Sequence, residues 1–162
     1  MKNVTRLRDV PKSPALYALY GGRPRNAWVA YVGIAGDLRQ RLVQHFERRD
    51  SSIVTGVSAV GLNIDAVTYA HWWEADYFDD RTHLRAAEVI AFDLLDPALR
   101  SRGGVTQEAE SLASRRAFAR KIERLIDAGP SGRYTPTTLN DLEDRLVQLE
   151  HRIAQLEQER PQ

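Results

Sequence analysis

The chain contains no cysteine. Disulfides and thiolate metal sites are therefore excluded, and any metal must be held by oxygen or imidazole nitrogen. No apolar stretch approaches the roughly 20 residues that cross a bilayer. The opening Met1-Lys2-Asn3-Val4-Thr5-Arg6 lacks the apolar run of a secretory signal, so a cytoplasmic location is the default expectation. There is no Gly-rich phosphate loop, Ser/His/Asp set or zinc-finger spacing, and His71 and His83 lack the spacing of a zinc site. Net charge is nearly absent as well, with 23 Lys and Arg against 22 Asp and Glu, which argues against a strongly basic DNA coater.

The distribution of charge is more telling than its sum. Residues 1–50 hold ten Lys and Arg against four Asp and Glu, whereas residues 51–100 hold three against eight. A basic first third beside an acidic middle suits a phosphate-facing surface next to a cation-binding one.

Pattern and punctuation divide the chain. Ala15 to Tyr20 reads as a strand bounded by Pro14 and Gly21-Gly22, and Ala27 to Val32 as its antiparallel partner. Asp37 is a helix N-cap for Leu38 to Arg49, where Leu38, Leu42 and Phe46 recur every four residues beside a polar stripe of Arg41, His45 and Arg48. Residues 50–65 read as a loop, and Ala66 to Trp73 as a third strand. Glu74 to Asp80 is an acidic turn, followed by a helix from about Thr82 to Leu95 and a second from Thr106 to about Ala128. On the latter, Arg116, Arg120 and Arg124 form a stripe that suits either a DNA backbone or a solvated face, the second being the preferred reading.

The expected fold is α/β: a small three-stranded mixed sheet flanked by helices over residues 1–128, a linker over 129–137 and a coiled-coil helix over 138–160. In that last segment Leu139, Leu142, Leu146, Leu149, Ile153 and Leu156 alternate steps of three and four, filling every a and d position of a heptad. Glu143, Glu150 and Glu157 fall at e, and Arg145 and Arg152 at g. A parallel homodimer pairs these charges, whereas an antiparallel one opposes glutamate to glutamate.

Glu88 is the sharpest single residue. Leu84, Ala87, Ala91, Leu94 and Leu95 form the apolar stripe of its helix, and position 88 falls within it. A buried carboxylate needs a partner: a divalent cation, an arginine, or water in a cleft. The cation is the preferred reading. Mg²⁺ (or Mn²⁺) suits a site that offers one carboxylate and leaves room for waters and phosphate oxygens.

Tyr17 and Tyr31 on neighbouring strands, with Arg41 and His45 one helical turn apart, make a kit for attacking a phosphodiester. Ala15-Leu16-Tyr17, Tyr31-Val32-Gly33, Arg41 ten residues beyond the second tyrosine, His45 fourteen beyond it, and Glu88 resemble the GIY-YIG nuclease family over roughly residues 12–100. The resemblance implies a metal-dependent endonuclease acting on DNA, with RNA not excluded. Glu88 would hold the metal, Tyr17 assisted by His45 would prepare the water, Tyr31 would position it, and Arg41 would stabilise the transition state. Arg39, Arg48 and Arg100 are the expected nucleic-acid contacts. The chain departs from the family at Arg100, where an asparagine is common, and at Ile34, where repair members carry lysine. Those departures keep open a catalytically degenerate nucleic-acid-binding module; a coiled-coil assembly protein whose head domain recruits partners is a separate alternative.

Overall fold

The computed structural model describes residues 1–22, 24–49, 64–99, 104–137 and 139–158. The strands are β1 (Lys2–Val4), β2 (Ala15–Gly21), β3 (Trp28–Ala35), β4 (Val67–Trp73) and β5 (Gly132–Tyr134). The helices are α1 (Leu38–Val43), α2 (Arg81–Leu95), α3 (Gln107–Ala113), α4 (Arg116–Asp127) and α5 (Leu139–Gln158). The strands make one mixed sheet in the order β1-β5-β4-β2-β3, with β1 and β5 parallel and the other pairs antiparallel.

Side chains alternate across this sheet and give it two cores. Tyr17, Leu19, Tyr31 and Trp72 face one side, where Leu38 and Leu42 of α1 pack. Leu16, Ala18, Val32 and Trp73 face the other, under Ala87, Ile90 and Ala91 of α2 and Phe118 and Ile122 of α4. β3 is an edge strand, so α1 and α2 can both reach round it. Behind α2, the backbone amides of Ala98 and Leu99 donate to the carbonyls of Val29 and Ala30, covering part of that edge.

The expected three-stranded sheet is corrected to five strands. The hairpin and β4 lie where the apolar patterning puts them, but β1 and β5 are three residues each, too short to display an alternation. β5 also falls inside the stretch read as a linker. Gly132 is there for space: a Cβ on it would collide with the Trp72 ring. The backbone of Thr135 donates to the Val4 carbonyl, so the globular body runs past residue 128.

Two helices also differ from expectation. α1 is capped by Asp37, whose carboxylate accepts from the Gln40 amide at 2.9 Å, but it ends at Val43. A π-helical turn follows over Gln44–Arg48 and closes on Arg49 in the left-handed region at φ 53°. The helix expected from Thr106 to Ala128 breaks at Ser114 and Arg115 into α3 and α4. Leu94, assigned to the apolar stripe of α2, is exposed; Ala86 and Ile90 are buried instead. No helix among the described residues is long and apolar enough to cross a membrane.

Candidate active site

The site begins with a missing side chain. Across the β2–β3 hairpin Tyr17 is the direct partner of Gly33, and Tyr31 precedes Gly33 by two residues on the same face. Both phenols lean over the glycine. A Cβ there would lie 2.6 Å from Cε1 of Tyr31, and 2.8 and 2.9 Å from the hydroxyl oxygens of Tyr17 and Tyr31. Gly33 therefore makes the room in which the two hydroxyls meet.

The segment after β3 brings two more groups. Arg41 projects from the last turn of α1, where its guanidinium donates to Oε1 of Gln44 at 3.2 Å. His45 lies within the π turn and is completely buried. Its Nε2 lies 2.8 Å from the Tyr17 hydroxyl. Arg41 can only donate, and it acts on the Tyr17 oxygen; the Tyr17 proton lies toward Nε2 in the tautomer that leaves that ring nitrogen bare.

Glu88 arrives from α2, on the opposite face of the sheet, and meets this group around the β3 edge. Asp80 caps α2, accepting from the amides of Thr82 and His83 at 2.7 and 3.1 Å. Arg81, Arg85 and Glu88 then follow at steps of four and three, which places them on one helical face. With Tyr31, Ile34, Arg41 and Asp79 they line a cleft of about 640 Å³. A larger hollow of about 1070 Å³ borders another part of the π turn, but none of the five predicted residues lines it.

Electrostatics tie the five groups together. Burial, and then the neighbouring Tyr31, push the Tyr17 hydroxyl well above its ordinary pKa, while Arg41 pulls the other way. Burial and the Glu88 carboxylate raise Tyr31, opposed by Arg41 and by its hydrogen bond with Tyr17. His45 is pushed down to about 3 by burial and by Arg41. Glu88 is raised by burial, with Arg41 and Arg85 opposing.

These directions decide roles. Protonating His45 at pH 7 against a pKa of about 3 costs roughly 5 kcal/mol at 1.36 kcal/mol per unit. It is a neutral acceptor that orients Tyr17, not a store for a proton from water. Tyr17 itself is fully buried, whereas Tyr31 opens on the cleft. The assignment of water to Tyr17 is thus corrected: Tyr31 is the phenol at the solvent boundary, and Tyr17 and His45 form the layer behind it.

Glu88 is the residue that would hold a small hard cation here. Glu88 is a carboxylate disfavoured by burial, at a cleft with space for waters and phosphate oxygens, and Asp79 lines the same cleft. Among the described residues no group of three or more His, Asp or Glu side chains converges as a metal cage, so the protein's own share would be small.

Sequence reasoning placed Tyr17, Tyr31, Arg41, His45 and Glu88 around a single solvent-reachable pocket; Tyr31, Arg41 and Glu88 line the cleft, whereas Tyr17 and His45 are buried behind it and do not. The structure does not bring the expected nucleic-acid arginines to the cleft. Arg39 is tied through Nε to the Val10 carbonyl at 2.7 Å, and Arg48 is exposed on the π turn; neither lines the cleft. Arg100 lies outside the described residues. Arg81 and Arg85 were missed, although their spacing from Glu88 marks them as its neighbours on α2. No family model matches the chain, and neither the curated proteins nor the solved structures offer a match to it.

Proposed function

We propose that the chain is a metal-dependent endonuclease that hydrolyses phosphodiester bonds in DNA, as its resemblance to the GIY-YIG nucleases implies. The observation that carries this reading is the convergence of Tyr31, Arg41 and Glu88 on one cleft, with the Tyr17–His45 hydrogen bond directly behind it.

Glu88 would hold a Mg²⁺ or Mn²⁺ ion, which supplies Lewis-acid polarisation of a phosphoryl oxygen. Arg41 offers a planar pair of donors to the scissile phosphate and opposes the charge that builds on it. Tyr31 is a phenol whose hydroxyl is held above its ordinary pKa by burial and by Glu88, which disfavours the phenolate, so it orients the attacking water by hydrogen bonding rather than as a base. Tyr17 and His45 are positioning residues that hold Tyr31 in place. Arg81 and Arg85 extend the cationic wall toward the flanking phosphates of the strand.

A second reading is a nucleic-acid-binding module without hydrolysis. It draws on the Glu88 carboxylate, which the charges of Arg41 and Arg85 already stabilise without a metal. Incubation of supercoiled plasmid, and of RNA in parallel, with Mg²⁺ or Mn²⁺ separates the two. Nicking by the wild type and its loss in Glu88→Gln support the nuclease; binding with no cleavage under either ion supports the module.

A further inference from the structure

The cleft accounts for nothing on α5, the 20-residue helix at the end of the described chain. Leu146, Leu149, Ile153 and Leu156 are each more than half exposed, at 59, 57, 55 and 57 %. Alternate steps of three and four put all four on one stripe, about 16 Å long at 1.5 Å per residue. An apolar stripe of that kind folded back on its own body would be buried, and it is not. Water-exposed leucines in register on one helix face call for a partner surface with the same period.

We propose that this stripe pairs in parallel with the same stripe of a second copy of the chain. Three features select that occupant. The stripe is self-complementary, since its period of three and four matches another copy of itself without adjustment. Leucine fills every d position and Ile153 one of the a positions, a distribution that suits two strands. In a parallel pair Arg145 meets Glu150 of the other copy, and Arg152 meets Glu157; an antiparallel pair sets Glu against Glu and Arg against Arg. With only about three heptads the coil is short, so the dimer is concentration-dependent. The consequence for the body is geometric: parallel helices place two copies of the cleft at the same end of the coil.

The inference stands apart from the chemistry at Glu88 and is tested without any activity. The full chain is followed by sedimentation velocity over a range of concentrations. Wild type shifts from monomer to dimer as concentration rises, and Leu149→Glu with Ile153→Glu remains monomeric throughout. Because the chain has no cysteine, orientation can be read from single introduced thiols. Leu156→Cys alone oxidises to a disulfide-linked dimer if the helices are parallel. In an antiparallel pair that position faces the far end of its partner, and a covalent dimer forms only when Leu156→Cys is mixed with Leu139→Cys. A wild type that stays monomeric at every concentration overturns the proposal. So does a dimer unaffected by the two glutamates, or cross-linking confined to the mixture.

Discussion

The Tyr17 hydroxyl stands 2.8 Å from Nε2 of His45, and both side chains are wholly buried. Tyr31 lies in front of this pair, between it and the cleft. The two phenols therefore do different work. Tyr17→Phe removes the hydroxyl that meets Nε2 in a buried site and is expected to cost about 1–3 kcal/mol of stability. Tyr31→Phe removes a hydroxyl at the solvent boundary, so its expected effect is a fall in cleavage rate of about 10²–10³-fold with little loss of stability. Denaturant unfolding and single-turnover cleavage on the same two proteins check this. A larger rate loss in Tyr17→Phe than in Tyr31→Phe would reverse the assigned order.

Burial of neutral His45 makes stability depend on pH. Its folded pKa of about 3 lies below the ordinary 6.5, so between those values the unfolded chain binds the proton and the folded one does not. Stability is full above about pH 6.5 and falls as the pH drops toward 3. His45→Gln keeps an acceptor for Tyr17 but has no such titration. Between pH 7 and pH 5 it should lose about 2 kcal/mol less stability than the wild type. His71, lowered to about 4, acts in the same direction, and Glu88, raised, acts in the opposite one; both are common to the two proteins and cancel in the comparison. Equal losses in urea titrations at the two pH values would remove the buried, neutral imidazole.

Gly33→Ala tests the crowding above the hairpin. The added methyl would press on both tyrosine hydroxyls at less than 3 Å, so the rings or the strand must shift. Overpacking of this kind costs about 1–3 kcal/mol. Cleavage should fall much further than stability does, because the displaced atoms are the polar ends of Tyr17 and Tyr31. A variant with wild-type rate would show that hydroxyl placement is not critical.

Arg81 and Arg85 are expected to bind flanking phosphates. The double variant Arg81→Ala with Arg85→Ala should weaken DNA binding and lower the slope of log affinity against log salt by about 0.9 for each duplex phosphate that is no longer neutralised. Filter binding or fluorescence anisotropy at several salt concentrations measures it. An unchanged slope would place the strand elsewhere.

The legible parts of the site were those that depend on local pattern. The hairpin, the Asp37 cap and the spacing from Tyr31 to Arg41 bring Tyr17, Tyr31 and Arg41 together by short-range geometry alone. The illegible parts arise from tertiary packing. No residue in Gln44–Arg48 announces a π turn, and the complete burial of His45 within it was not legible, although its spacing from Tyr31 was. Arg39 looks like a phosphate ligand until the Val10 carbonyl, 29 positions away in sequence, takes its Nε. β5 becomes a strand by pairing with β4, with Gly132 accommodated under Trp72, and β1 by pairing in turn with β5.

The central claim is that a cation belongs beside Glu88. A crystal of the wild type soaked in Mn²⁺ and measured for anomalous scattering tests it most directly. The account predicts one peak in the cleft within bonding distance of the Glu88 carboxylate, and none in Glu88→Gln treated the same way. An empty cleft in the wild type, or a peak that survives the substitution, would contradict it.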